Sequence, residues 1–178
     1  MSLLILASAS PRRKAILEQL GIAFEVRPAQ VEELSRGEPR ELVVENALRK
    51  ARAVEGELVL GVDTTVALDG AILGKPADVA QARRHLERLS GRTHEVWSGL
   101  ALNERTAAAL TRVTFRDIEP LLDWYLAGGE WEGKAGAYAI QGKGAALVER
   151  IEGDYLNVVG LPVAELIWLR PSLLDVTA

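Results

Sequence analysis

The chain has 178 residues, 48% hydrophobic and 26% charged, with a formal net charge of −4, which allows one domain or two small lobes sharing a core. A groove for a nucleic-acid polymer needs a basic excess that this chain lacks, whereas a small anionic ligand needs only a local cationic pocket. With no cysteine, disulfides, zinc–thiolate sites and a cysteine nucleophile are excluded; no apolar run approaches the ~18 residues of a membrane span, and no charged flank precedes the apolar start as in a signal peptide, so a soluble cytoplasmic protein is expected.

In chain order, the apolar run 3–6, bounded by Ser-Pro, reads as a buried strand. Residues 11–20 read as a helix with Ile16, Leu17 and Leu20 on one face and Gly21 as its stop. A second strand follows over 24–27, and a helix over 38–54 with Pro39 in its first turn. Residues 58–62 form an apolar strand, and Asp69-Gly70 turns a hairpin between 66–68 and 72–73. Asp78 caps a helix running to about Leu89, closed by Ser90-Gly91. Strands over 96–102 and 107–115 flank a turn at Asn103-Glu104-Arg105. A helix over 119–126, a strand over 145–151 and a helix over 161–169 complete the pattern, and residues 175–178 are expected to fray. Strands and helices alternate early and hairpins appear later, which predicts an α/β fold with a mixed sheet. No repeat, low-complexity segment or linker divides it, so residues 1–178 read as a single domain.

Six segments carry polar chemistry. In Ser8-Ala9-Ser10-Pro11-Arg12-Arg13 a strand gives way to a helix, with Ser10 as N-cap and Pro11 at the first helical position; free N–H groups and the positive dipole end make an anion site. Two arginines there oppose the dipole, at a cost on the order of 0.3–1 kcal/mol each, so neither is expected to support the ligand-free fold. A bound phosphate chain would reverse that cost through bidentate pairing; the alternative is two solvated arginines. Asp63, in Gly61-Val62-Asp63-Thr64-Thr65, ends an apolar strand, where α/β sheets place ligands. It can bind Mg²⁺, take a proton from water, or simply cap a turn. Lys75, in Gly74-Lys75-Pro76, lies on a proline-stiffened loop without the spacing of a Walker A motif, and solvation is its default. Asn46 and Lys50 share one helical face and Glu45 and Arg49 another, which surface ion pairing explains. Glu32-Glu33 are paired acids after a strand, or a charged turn. Residues 133–144 are glycine-rich, as a ligand-hugging loop or a flexible hairpin would be. Within them Gln141 offers a paired donor and acceptor that suits a uracil or thymine edge and, flipped, cytosine. His85, on a polar helix face, and His94, opening a strand, belong to no metal-spaced cluster and read as structural, while the four tryptophans read as core or rim.

The order of these segments is more specific than any one of them. Ser8-x-Ser10-Pro11-Arg12-Arg13, Glu32-Glu33, Lys50-Ala51-Arg52-Ala53, Gly61-x-Asp63-Thr64, Gly74-Lys75-Pro76, Leu89-Ser90-Gly91-Arg92-Thr93-His94, Gly136-Ala137-Tyr138-x-Ile140-Gln141-Gly142 and Val159-Gly160-Leu161-Pro162 together resemble the signature of the Maf family. The resemblance implies an elongated mixed sheet flanked by helices, two lobes around an active-site cleft, a fold similar to that of inosine-triphosphate pyrophosphatases, and often a homodimer. It implies hydrolysis of a nucleoside triphosphate to monophosphate and pyrophosphate, with Asp63 as the active-site aspartate. Ser8, Arg13, Glu33, Lys50 and Lys75 fall on its phosphate-binding and catalytic positions, and Arg12, Thr64 and Gln141 on its substrate-selecting ones. It implies a divalent cation, Mg²⁺ first and Mn²⁺ or Co²⁺ as alternatives, held by Asp63 and Glu33. Ser-Pro-Arg-Arg and Ile-Gln-Gly look like the dTTP/UTP branch; the sister branch, acting on a methylated GTP, typically has tryptophan where Arg12 stands and lacks the glutamine. Ala139 replaces a usual glycine, Val62 a usual alanine, and Glu45-Asn46-Ala47 is similar to the inosine-triphosphate enzymes. Two competing readings remain: a non-catalytic nucleotide-binding regulator of septum formation, and a purine-preferring pyrophosphatase.

Overall fold

The computed structural model describes residues 3–174; residues 175–178, where fraying is expected, lie outside them. The chain runs through β1 (Leu4–Leu6), α1 (Pro11–Gln19), β2 (Phe24–Val26), α2 (Pro39–Arg52) and β3 (Val59–Leu68). Both β2 and β3 lie parallel to β1, one on each side. The chain thus leaves β1 in one direction and returns past it in the other. Parallel crossovers are right-handed as a rule, so the reversal is expected to put α1 and α2 on opposite faces of the sheet. Burial agrees: Ile16 and Leu17 of α1 join Leu4, Leu6 and Leu60 in the main core, while Ala47 and Ala51 of α2 pack on Ile5, Val59 and Ala101.

The rest is an antiparallel extension. β4 (Ala71–Leu73) folds back on β3 through Asp69-Gly70, both at positive φ (52° and 77°) as the expected hairpin turn requires. α3 (Val79–Leu89) begins at Asp78, whose carboxylate accepts the Gln81 N–H at 2.7 Å. β5 (Thr93–Leu102), β6 (Arg105–Phe115) and β7 (Val148–Glu152) complete a seven-stranded mixed sheet, six strands in the order β2-β1-β3-β5-β6-β7 and β4 paired to β3 off that path, with α4 (Leu122–Ala127), α5 (Tyr155–Val159) and α6 (Val163–Leu169) around it. This is the α/β architecture the alternation predicts. His85 departs from expectation: it lies on the buried face of α3 with Ala82, Leu86 and Leu89, because a period of 3.6 brings 82, 85 and 89 together. Two of the tryptophans, Trp124 and Trp168, are exposed rather than in the core or at its rim.

The two strands expected over 58–62 and 66–68 are one ten-residue strand, β3. Thr64 and Thr65, beside Asp63, are β-branched and sustain the strand. Pairing with β5 is continuous from Leu60↔Leu102 to Ala67↔Glu95, so Asp63 sits mid-strand opposite Gly99. What ends here is the partner on the other side. β1 pairs only at Val59 and Leu60, and β4 begins at Val66, leaving one edge of β3 unpaired between them.

Two glycines let α2 lie directly on this stretch of sheet. A Cβ at Gly61 would come within 2.0 Å of the Ala47 carbonyl oxygen, and one at Gly99 within 2.3 Å of that of Val43. Backbone meets backbone with no side chain between them. On the other face of the sheet, His94 and Phe115 meet edge to face, centroids 4.9 Å apart, and His94 Nε2 lies 2.8 Å from the Tyr138 hydroxyl. Burial pushes the imidazole down to about 4.

Both features are testable by denaturant unfolding. Gly99→Ala forces α2 to move and is expected to lower stability by about 1–3 kcal/mol, whereas Gly74→Ala, with open space around it, serves as the neutral control. His94 is neutral when folded. The unfolded chain takes up its proton near pH 6.5, and the folded chain does so only near pH 4. The stabilising contribution is therefore complete above about pH 6.5 and shrinks as pH falls, by about 3 kcal/mol at pH 4. His94→Leu is expected to reduce the pH dependence across that window, leaving the smaller part due to His85, which burial and then Arg88 also lower; an unchanged profile shows that His94 is not the titrating group.

Candidate active site

A cleft of about 390 Å³ opens beside the unpaired edge of β3, near the lower end for small-molecule sites. It lies beyond the carboxyl end of β1, where the chain reverses direction across the sheet, the place in such sheets where ligands bind. Ser8, Arg12, Arg13 and Glu33 line it, as do Lys50, Asp63, Thr64 and Lys75. The structure thus brings together eight of the residues singled out in the sequence.

Asp63 belongs to the face of β3 that α2 covers and is only 6% exposed. Lys50 Nζ donates to its Oδ1 at 2.7 Å and Asn46 Nδ2 to its Oδ2 at 3.0 Å. Lys50 also meets Glu33 Oε1 at 2.8 Å and the Val62 carbonyl at 3.2 Å, so three oxygens surround the ammonium. Lys75, largely exposed, reaches Glu33 Oε2 at 3.5 Å. Burial pushes the Glu33 carboxyl up, but Lys50 and Lys75 outweigh it and hold the group below the usual carboxylate range. Solvated pairing on α2 describes Glu45 and Arg49, 2.9 Å apart, but not the face with Asn46 and Lys50, which is buried.

The arginines are held from the far end of the chain. Arg13 Nε donates to the Gly160 carbonyl at 2.8 Å, Nη1 to Ser8 Oγ at 2.8 Å and Nη2 to Thr64 Oγ1 at 3.2 Å. Arg12 Nε donates to the Val159 carbonyl at 3.1 Å. Burial lowers Arg13 to about 10, with Asp63 favouring and Arg12 opposing its charge, so it stays protonated at neutral pH. The expectation that neither arginine supports the ligand-free fold is corrected: the cations oppose the dipole of α1 but cap the C-terminal carbonyls of α5. Helix α5 starts at Asp154, which accepts the Leu156 N–H, and is tied to the sheet by Asn157. The Asn157 amide donates to the Val96 carbonyl and to Thr111 Oγ1, each at 3.0 Å. Sequence reading missed this helix, although Asp154 before an apolar run and Gly160 after it form a start and a stop. Ser10 occupies the N-cap position of α1 without a side-chain cap bond; instead its N–H donates to Ser8 Oγ at 3.3 Å. Thr64 lies 2.8 Å from its cross-strand neighbour Ser98.

The glycine-rich segment divides. Gly136, at φ 67°, packs under Val66, where a Cβ would come within 2.9 Å, and Lys134 and Tyr138 beside it line the cleft. Burial, then the nearby Arg12, lowers Lys134. Gln141 is not brought in: it is exposed and absent from the cleft lining. The residues after it are held back by Glu130, whose carboxylate accepts the Lys143 and Gly144 N–H groups at 3.0 and 3.2 Å.

Among the described residues no three or more His, Cys, Asp or Glu side chains group as a metal cage. The cleft instead has two carboxylates, Asp63 and Glu33, the donor set expected of a hard cation that takes its remaining oxygens from phosphate and water. No described helix is long and apolar enough to cross a membrane.

The chain is similar to known proteins over nearly its whole length. The chain is 52% identical over 174 residues to a dTTP/UTP pyrophosphatase of Anaeromyxobacter sp. (strain Fw109-5), covering 91% of this chain and 85% of that protein. It is 51% identical to the dTTP/UTP pyrophosphatase of Symbiobacterium thermophilum (92% and 90% covered) and 50% identical to that of Gloeobacter violaceus (98% and 94%). The model of the family described as Maf-like protein matches residues 3–170, nearly the whole length, and the chain belongs to that family.

Proposed function

We propose that this chain, as a single domain, hydrolyses dTTP and UTP to the monophosphate and pyrophosphate. One observation carries the proposal: a cleft at the reversal point of the sheet sets two anchored arginines against two lysine-compensated carboxylates. A polyphosphate needs the cations, and hydrolysis needs a carboxylate to orient and deprotonate water. Arg13 uses three of its five donors internally and keeps two for phosphate. The Lys50 ammonium has its three hydrogens matched by three oxygens, so its part is to compensate Asp63 and Glu33, while the freer Lys75 meets phosphate. Asp63 would hold the water for attack at the α-phosphorus, with pyrophosphate leaving toward Arg13 and Lys75. Asp63 and Glu33 would also hold a divalent cation, Mg²⁺ by preference, which when bound neutralises charge on the polyphosphate. Arg12 and Thr64 would select the base; Gln141 could join them only if its segment moved toward the cleft. Pyrimidine preference is supported by the names of the relatives. A cytoplasmic location and a homodimer belong to the same proposal.

With Mg²⁺, dTTP and UTP are expected to give one pyrophosphate per monophosphate, with ¹⁸O from solvent on the monophosphate. Their kcat/KM is expected to exceed that of ATP and GTP by about 10-fold or more. Release of orthophosphate overturns the position of attack, equal purine values favour the purine-preferring reading, and binding without turnover favours the regulator. The arginines are expected to separate. Arg13→Ala lowers kcat/KM alike for every triphosphate and, by stranding three partners, costs about 2–3 kcal/mol of ligand-free stability. Arg12→Ala mainly changes the ratio of dTTP to other nucleotides. Substrate-panel kinetics and ligand-free unfolding curves check both, and the opposite kinetic pattern reverses the assignment.

A further inference from the structure

Asn46 lies in the middle of α2, is 1% exposed, and is engaged in two directions. Its Oδ1 accepts the Leu34 N–H at 2.7 Å and its Nδ2 donates to the Leu34 carbonyl at 3.0 Å. A carboxamide, with donor and acceptor side by side, can meet both polar groups of a single residue, as a neighbouring strand would. The second amide hydrogen goes to Asp63 Oδ2, also at 3.0 Å. Residues 27–38, which carry Glu33, form neither helix nor strand, and Leu34 directly follows Glu33. One buried side chain therefore ties Asp63, on the strand, to the loop that presents Glu33.

We propose that Asn46 is a positioning residue that fixes the orientation of the Asp63 carboxylate and the distance between Asp63 and Glu33, so that both address one cation and one water. The proposal rests on the pyrophosphatase reading of this cleft. Lys50 already holds Asp63 Oδ1. Without a donor on Oδ2 the carboxylate is free to turn about that single anchor, and without the Leu34 clamp Glu33 is held by the two lysines on its carboxylate and, through the preceding residue, by Arg49, whose Nη1 donates to the Glu32 carbonyl at 3.3 Å. Leucine at position 46 keeps the branched four-atom side chain, suits a helix at least as well as asparagine and deletes all three bonds. Aspartate keeps an acceptor for the Leu34 N–H but replaces the donor facing Asp63 by a second carboxylate.

The test compares wild type, Asn46→Leu, Asn46→Asp and a stability control, Leu89→Ala, which opens a cavity under α3 on the far side of the sheet. Each is assayed with dTTP and Mg²⁺ well below its own melting temperature, and Mn²⁺ binding to the nucleotide-free proteins is measured separately. Both Asn46 variants are expected to lose about 10- to 100-fold in kcat, the range for outer-shell supports of a metal site. KM for dTTP should stay within about threefold, because the phosphate-binding arginines are untouched. Asn46→Leu is expected to weaken Mn²⁺ binding by a similar factor, and Leu89→Ala to lower the melting temperature with kcat retained. If wild type turns over dTTP and both Asn46 variants keep kcat within about threefold, or Leu89→Ala loses as much, the positioning role is overturned and the pyrophosphatase reading stands. If wild type turns over no triphosphate, that reading fails on its own, and Mn²⁺ binding decides: weakening in Asn46→Leu supports the coupling of Asp63 to Glu33, and unchanged binding overturns it.

Discussion

The contact between the backbone of α2 and the sheet at Gly61 and Gly99 is the constraint on which the cleft depends. A helix normally rests on a sheet through a layer of side chains. Removing that layer brings α2 close enough for short reaches, and Asn46 and Lys50, one turn apart on its inner face, meet Asp63 directly. Asp63 follows Gly61 by two positions on β3 and faces Gly99 across the ladder, so it occupies the same pocket of proximity. A buried ion pair is a weak source of stability because desolvation offsets its attraction. Here the arrangement persists because almost every polar atom is satisfied: each Asp63 oxygen accepts a bond, and the Lys50 ammonium meets three oxygens.

The opposite wall depends on a second compensation. Cations in the first turn of α1 are disfavoured by its dipole, yet Arg12 and Arg13 are held in place by the terminal carbonyls of α5. The positive end of one helix and the negative end of another thus face each other with guanidinium groups between them. Asn157 keeps α5 against β5 and β6, so the arginines are oriented before any ligand arrives. Preorganised donors need little reordering on binding.

Much of the sheet was legible in the sequence because its signals are local: apolar runs for the strands, Asp78 as a cap, Gly21 as a stop, Asp69-Gly70 as a hairpin turn. Asp63 reads as a strand end because an acid interrupts the apolar run; the β-branched Thr64-Thr65 favour a strand, but only the pairing with β5 carries it through. The role of Asn46 and the buried state of His85 were hidden for a related reason: periodicity tells which residues share a face, not whether that face meets solvent. The arginine contacts span 147 residues, and no local pattern predicts them. Gln141 fails in the other direction, since a motif that fits a base edge says nothing about how Glu130 holds the following turn.

These compensations also divide the charges of the cleft into two classes. Asp63 and Glu33 are answered from below by Lys50, whose bonds are all internal. That leaves Arg12, Arg13, Lys75 and Lys134 as the cationic lining whose donors are not fully committed. A triphosphate approaching carboxylates would be repelled if their charge were unanswered. With Lys50 already beside them, the field it meets is dominated by the remaining cations. A chain with a net charge of −4 can therefore hold a polyanion without a basic surface, because attraction is confined to one cleft and the carboxylates inside it are paired in advance.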